Sequence, residues 1–255
     1  MCQFIRGERA VAGYGSRRLH VVKIPCSRAR AAIRENHYAG TVVANSYVHL
    51  GVYVDGRFAG ALQFGYAMNP ARASKVVSGT GARDYLELNR MWLADWAPRN
   101  SESQAISCAI HYIRAVMPQV RWIQSFADER CQGLGVVYQA CSFEYIGCHS
   151  TVFYEIDGRW YHGMLRSLVK RGGSCGLFLR ANVHRARAVK LRQFRYIYFV
   201  HRGCRRHLAL KRMRYPKRLN SAASQSGHSG HPPESQVRSL VAAPSAVVEQ
   251  DKQGQ

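Results

Sequence analysis

Between Asp157 and Glu234 the chain contains no acidic residue, while arginine and lysine recur throughout. The densest part runs Arg192-Gln193-Phe194-Arg195-Tyr196-Ile197-Tyr198-Phe199 and continues through Arg202, Arg205, Arg206, Lys211, Arg212, Arg214, Lys217 and Arg218. Cations interleaved with aromatic rings are what a surface needs in order to follow phosphates and stack on bases. For any one residue the competing reading is a basic strand whose Tyr and Phe face the core while its Arg side chains are merely solvated. Over the whole interval nucleic acid is favoured, with Arg192, Arg195, Tyr196, Arg205, Arg206, Lys211 and Arg212 as the candidate DNA-binding residues. The charge of the entire chain points the same way: 37 Lys and Arg against 15 Asp and Glu leave a formal net charge of +22 in 255 residues. Such a field concentrates polyanions; solubility by charge alone, or an anionic membrane, are the alternatives.

The remaining composition narrows the class. Hydrophobic residues make up 47% of the chain, ample for one compact domain with extensions or for two small ones. No apolar run reaches the ~18 residues of a membrane span, and the start, Met1-Cys2-Gln3-Phe4-Ile5-Arg6, lacks a signal-peptide core, so a cytoplasmic protein is expected, with no membrane partner. The 8 cysteines include no C-x-x-C pair and read as free thiols rather than a zinc site. From Leu219 to Gln255 the chain turns to Ser, Gln, Gly, His, Pro and Ala, and a disordered tail is expected there.

Hydrophobic periodicity between Ser27 and Gly147 reads as mixed α/β. A helix is expected from Ser27 to about Glu35. Tyr47–Val54 and Arg57–Phe64 are β-rich runs joined by Asp55-Gly56, the signature of a tight hairpin. Tyr85–Leu93 reads as a strand on which Leu88 and Arg90 share one face and Glu87 and Asn89 the other. Ala105, Ile106, Ala109, Ile110, Ile113 and Val116 have helical spacing, with Ser101 and Gln104 in a capping-box pattern. Then follow a strand Val120–Phe126, a short helix through Tyr138, a strand Phe143–Ile146 and a second Asp-Gly hairpin at Asp157-Gly158. Early antiparallel strands make this an α/β sandwich rather than a doubly wound sheet.

The run Gly135-Val136-Val137-Tyr138-Gln139-Ala140-Cys141-Ser142-Phe143, after strand, helix and strand, resembles the core of the GNAT acyltransferase fold. A finer resemblance is to the Mom family of phage DNA-modification proteins. It is carried by Asn36-His37-Tyr38, Gly60–Tyr66, Glu87-Leu88-Asn89-Arg90-Met91-Trp92, Arg99-Asn100-Ser101-Glu102-Ser103, Ser125-Phe126-Ala127-Asp128, the Tyr138 helix, Gln193-Phe194-Arg195-Tyr196 and Tyr215-Pro216-Lys217. The resemblance implies a GNAT-like mixed, mostly antiparallel sheet flanked by helices, with a basic C-terminal extension. It also implies an enzyme that converts adenine in double-stranded DNA to an N6-carbamoylmethyl form and so protects phage DNA from host restriction. The organisation expected is a catalytic core 1–158, a basic DNA-binding extension 159–218 packed on it, and the tail 219–255.

Family resemblance selects Asp128, Tyr138, Arg90, His37 and Tyr38 as catalytic candidates, and Asn89, Asn100, Ser101 and Ser103 as substrate or co-substrate contacts. Adenine N6 is a poor nucleophile, so the base must be flipped into a pocket, stacked, and relieved of a proton as the new bond forms. Asp128 suits a carboxylate that accepts from the amine, or a turn residue satisfying backbone N–H groups. Tyr138 is a donor, acid, stacking or plain core residue. Arg90 is an anion clamp or half of an ion pair with Glu87 or Asp95. His37 and Tyr38 are candidate ligands for iron, with Asp128 as a third, or else a helix cap and its neighbour. The turn Pro98-Arg99-Asn100-Ser101-Glu102-Ser103 lacks the glycines on which a CoA pyrophosphate would sit and places an acid at the helix start, which disfavours acetyl-CoA. The sequence leaves the donor open, and the oligomeric state too, a dimer included. Two rivals stand beside the Mom reading: an ordinary GNAT N-acetyltransferase acting on a protein or small amine, and a non-enzymatic DNA-binding protein.

Overall fold

The structure, a computed structural model, describes residues 1–131, 133–167 and 173–217. The expected tail, 219–255, lies outside the described residues. Contacts divide the described residues into two units, 1–153 with 188–217, and 154–187. This division differs from a boundary at 158, because a strand from the basic segment belongs to the sheet of the first unit.

In the first unit the strands are β1 (Gln3–Gly7), β2 (Ala10–Gly15), β3 (Leu19–Lys23), β4 (Ser46–Val54), β5 (Arg57–Gly65), β6 (Tyr85–Leu93), β7 (Trp122–Asp128), the greater part of β8 (Glu144–Ile156) and, after the excursion into the second unit, β10 (Arg187–Phe199). They lie side by side in the order β1-β2-β3-β4-β5-β6-β7-β10-β8. From β1 to β6 every neighbour is antiparallel. β6 and β7 run parallel but pair only from Tyr85↔Trp122 to Glu87↔Gln124. Beyond that rung the two strands part, and β7 pairs on its other side with β10, from Gln193↔Asp128 to Phe199↔Trp122. The β4–β5 hairpin forms at Asp55-Gly56, both with positive φ (47° and 79°), as a two-residue turn matched to strand twist demands.

Both faces of this sheet are covered. On one face, helix α2 (Ser101–Val116) and the short α3 (Val136–Ala140) bury Ala105, Ile106, Ala109, Ile113 and Tyr138 against Leu62, Phe64, Leu86, Leu88, Ile123, Phe194 and Tyr196. On the other, helix α1 (Cys26–Asn36) lays Ala29 and Ala32 on Ala61. Beside α1, residues 67–77 and 204–210 cover Tyr85, Trp122, Ile197 and Phe199. Strand neighbours such as Leu62 and Ala61, or Tyr196 and Ile197, therefore alternate between two cores. The basic strand thus has apolar side chains on both faces, which is why Tyr196 is wholly enclosed, at 0% exposure.

Two local expectations are corrected. The capping box at Ser101 does not form: the N-cap is Asn100, whose backbone is left-handed at φ 68° and whose side chain makes no cap bond. Ser103 Oγ instead donates to the Asn100 carbonyl at 2.9 Å. Simple alternation also fails in β6, because the register passes from Gln63↔Arg90 to Phe64↔Leu88 and leaves Asn89 as an extra residue. This β-bulge resets the pleat, so Arg90 and Glu87 come to the same face, the one covered by α1, while Leu88 turns to the α2 core. Asn89 itself is buried and donates to Ser46 Oγ at 3.0 Å.

The second unit holds the end of β8, the turn Asp157-Gly158, strand β9 (Arg159–His162), and helices α4 (Met164–Ser167) and α5 (Gly173–Asn182). Arg185 forks onto Asp157 at 2.8 and 3.0 Å, Arg187 pairs with Glu155, and Tyr161 stacks on Phe178.

Candidate active site

The parting of β6 and β7 is the feature that gathers the predicted residues. On the α1 face Glu87 and Arg90 project from β6, Gln124, Phe126 and Asp128 from β7, and Arg195 from β10, the last two strands alternating in step through Arg195↔Phe126. The C-terminal end of α1 brings His37 and Tyr38 to the same place: their rings lie 4.2 Å apart, and both meet the charges of Arg90 or Arg130. His37, Tyr38, Arg90 and Asp128, from distant parts of the chain, thus form one constellation. Arg130, which sequence reasoning missed, links them. Its guanidinium binds Asp128 Oδ2 at 3.0 Å and stands over the rings of Tyr38 (5.2 Å) and Phe153 (4.9 Å). The signal for it lay two residues beyond the Ser125–Asp128 block.

Asp128 is 9% exposed. Its Oδ1 accepts the Arg130 backbone N–H at 3.0 Å, so the turn role and the site role fall on one side chain. Arg90 donates to the Thr41 carbonyl (Nε, 3.1 Å) and the Asn89 carbonyl (2.8 Å), and feels the charges of Glu87 and Asp128. His37 is buried and accepts the Ala39 backbone N–H on Nδ1 at 3.1 Å. Burial, then the charges of Arg90 and Arg130, push its pKa from 6.5 down to about 3, so the ring is neutral. Glu87 is the second carboxyl of the constellation. It accepts from Gln124 Nε2 at 2.6 Å, and burial raises it to about 7 against the opposing pull of Gln124, Arg195 and Arg90.

As arranged, these residues do not fit a resident iron. Among the described residues no three of His, Cys, Asp and Glu come together as a ligand set. Two guanidinium groups beside His37, and an Asp128 with both oxygens engaged by Arg130, suit an anion better than a cation.

Tyr138 is elsewhere. It is 9% exposed in the α2-side core, against Phe143 (5.6 Å) and Tyr196 (5.5 Å). The α2 start, with Asn100, a buried Ser101 and Ser103, lies on the helix that covers this same face.

The basic residues divide by depth. Tyr196 is corrected from a base-stacking residue to a core residue: its hydroxyl donates to the Leu134 carbonyl and accepts from Gln139 Nε2. Arg195 is partly buried over Phe126, 5.0 Å from the ring centre. Arg192 pairs with Glu129, and Arg205 and Arg212 share Glu144. Their side chains remain more than half exposed, and surface pairs of that kind are weak, so a phosphate can displace the carboxylate. Arg202, Arg206, Lys211, Arg214 and Lys217 are also exposed.

The site thus stands on a mostly antiparallel sheet with helices on both faces, where one parallel pair of strands parts beside carboxylates and arginines. Two acetyltransferase structures align over most of the chain: the RimL ribosomal L7/L12 alpha-N-protein acetyltransferase (14% identity, 73% of this chain and 96% of the other, TM-score 0.40) and a GNAT-family acetyltransferase from Streptococcus pneumoniae (10%, 71% and 99%, 0.42). Scores this low carry no argument about its chemistry. The chain belongs to the Mom protein family, whose model matches residues 18–217. It is 50% identical over 216 residues, 84% of this chain and 90% of the relative, to the methylcarbamoylase Mom of Escherichia phage Mu.

Proposed function

We propose that this enzyme converts adenine in double-stranded DNA to N6-carbamoylmethyladenine, acting in the cytoplasm of a bacterial host and protecting phage DNA against restriction. The observation that carries the reading is 50% identity to a methylcarbamoylase across nearly the whole relative. The site supports it. An adenine flipped from the duplex would enter where β6 and β7 part, an arginine-lined place that suits a base still tethered to phosphates. Asp128, held by Arg130, accepts a hydrogen bond from the exocyclic amine, and Tyr38, 49% exposed, offers a ring for stacking. Arg90 holds an anionic group of the DNA or of the donor. The exposed cations from Arg202 to Lys217 carry the flanking duplex. The co-substrate brings a carbamoylmethyl group on a leaving group, and the residues beside the α2 start, Asn100 and Ser103, are candidates to meet it.

The test is mass spectrometry of nucleosides from DNA of cells expressing the wild-type chain beside cells expressing Asp128→Ala. The expected result is a deoxyadenosine heavier by one carbamoylmethyl group in wild type alone. Unmodified DNA from cells containing soluble wild-type protein and a competent donor supply overturns the reading.

A further inference from the structure

Within the second unit, helix α5 turns an apolar stripe to solvent. Ser174, Leu177, Phe178 and Ala181 recur at i, i+3, i+4 and i+7, and all are exposed, Leu177 to 64% and Phe178 to 41%. A surface helix ordinarily shows its polar side to water, so this one is inverted. The stripe is not frayed backbone, because the opposite side of the helix is anchored. Gly176 and Leu179 are buried, Arg180 Nη1 donates to the Leu165 carbonyl at 3.2 Å, and the Phe178 ring stacks on Tyr161. Nearby on α4, Met164 is a further exposed apolar side chain.

Charge says what covers the stripe. Between 154 and 187 there are seven Arg and Lys and two acids. Both acids are already taken, Asp157 by Arg185 and Glu155 by Arg187. A second copy of so cationic a unit would be repelled, whereas a polyanion is drawn to it. An adenine inside a duplex is paired and stacked, and a protein that works on it has to open the stack; apolar side chains pushed between base steps do this, while cations hold the phosphates on either side. Resting on the adenine-modification reading, we propose that Leu177 and Phe178 are a wedge that enters duplex DNA and unstacks a base step. Leucine supplies compact bulk and phenylalanine a flat ring that substitutes for a base in the stack.

The test reads unstacking without any donor. The full-length chain is bound at saturation to linear duplex DNA, and unstacked thymines are measured by permanganate oxidation, beside duplex affinity, its salt slope and the melting temperature of the protein. Wild type is expected to raise thymine oxidation above that of free duplex, and the double variant Leu177→Ser, Phe178→Ser to lose about fivefold or more of that gain. Its affinity should stay within about threefold, with the salt slope and melting temperature unchanged, since both side chains stand in water and neither is charged. Leu177→Met with Phe178→Trp keeps the apolar bulk and should keep the gain. Wild type leaving thymines as unreactive as in free duplex overturns the wedge, as does a serine variant that oxidises them equally. A fall in affinity with the gain per bound protein intact makes the stripe a groove contact and overturns it too. So does a serine variant that loses self-association, or binding to phosphatidylglycerol vesicles, while thymine oxidation stays at the wild-type level. Wild type that opens the duplex but leaves no modified adenine in cells overturns the adenine reading alone.

Discussion

The cleft between β6 and β7 and the strip from Arg202 to Lys217 are both rich in charge, yet they are built on opposite terms. Where β6 and β7 part, a few ionisable groups are buried or half-buried beside one another, so neighbours and burial move their proton affinities: His37 falls to about 3 and Glu87 rises to about 7. In the strip many cations stand in water, and the ion pairs they make are exposed and weak. Charge density therefore marks where a polyanion lands, while burial marks where chemistry is done.

Substitutions can break or sharpen that contrast. The largest effect is expected in the cleft: Asp128→Ala lowers modified adenine by about 100-fold or more while duplex affinity changes less than about threefold, read by nucleoside mass spectrometry and a binding titration. In the strip the pattern reverses. Replacing Arg202, Arg206 and Lys211 together by Ala weakens duplex binding by about 10-fold or more and reduces the slope of log affinity against log salt by about 3, with no change in the product formed at saturating DNA. If the strip variant kept the wild-type slope, the DNA would have to run elsewhere.

A third variant tests the core on the other face of the sheet. Gly135 has φ 74°, and a Cβ there would meet the Tyr196 ring at 2.3 Å. Gly135→Ala is expected to cost about 1–3 kcal/mol in a denaturant melt. The fourth prediction concerns pH. Between 4.5 and about 7 the folded chain keeps a proton on Glu87 that the unfolded chain has shed, so this group's contribution to stability declines as pH rises through that window. Glu87→Gln lacks the penalty, and its stability relative to wild type should increase from about pH 4 to about pH 8 by up to about 3 kcal/mol. The smallest effect belongs to the strip: Arg205→Ala, which removes one exposed partner of Glu144, should change stability by less than about 1 kcal/mol.

Much of this organisation was legible in the residues. Asp55-Gly56 and Asp157-Gly158 announced their turns, because few dipeptides accept two positive φ values. The strand Tyr85–Leu93 lies within the bounds its pattern predicted, and the helix from Ser101 ends at Val116, just before Pro118. His37, Tyr38, Arg90 and Asp128 were found as separate motifs, and the structure joins them. Tyr196 was misread for a physical reason: alternation tells which residues share a face, but with apolar cover on both faces it cannot tell which face meets solvent.

By itself the amino-acid order determined the local geometry and the overall charge, since turns, helix spacing and net field depend on residues near in sequence or on a simple sum. Only the tertiary structure decided the register of β5 against β6, which makes Asn89 the extra residue and brings Glu87 and Arg90 to one face. It also placed β10 between β7 and β8, setting Arg195 beside Glu87 and closing Tyr196 into the core. Both outcomes rest on pairing between strands far apart in the chain. Their energies come from packing that no local window contains, and from burial, which raises Glu87 to about 7.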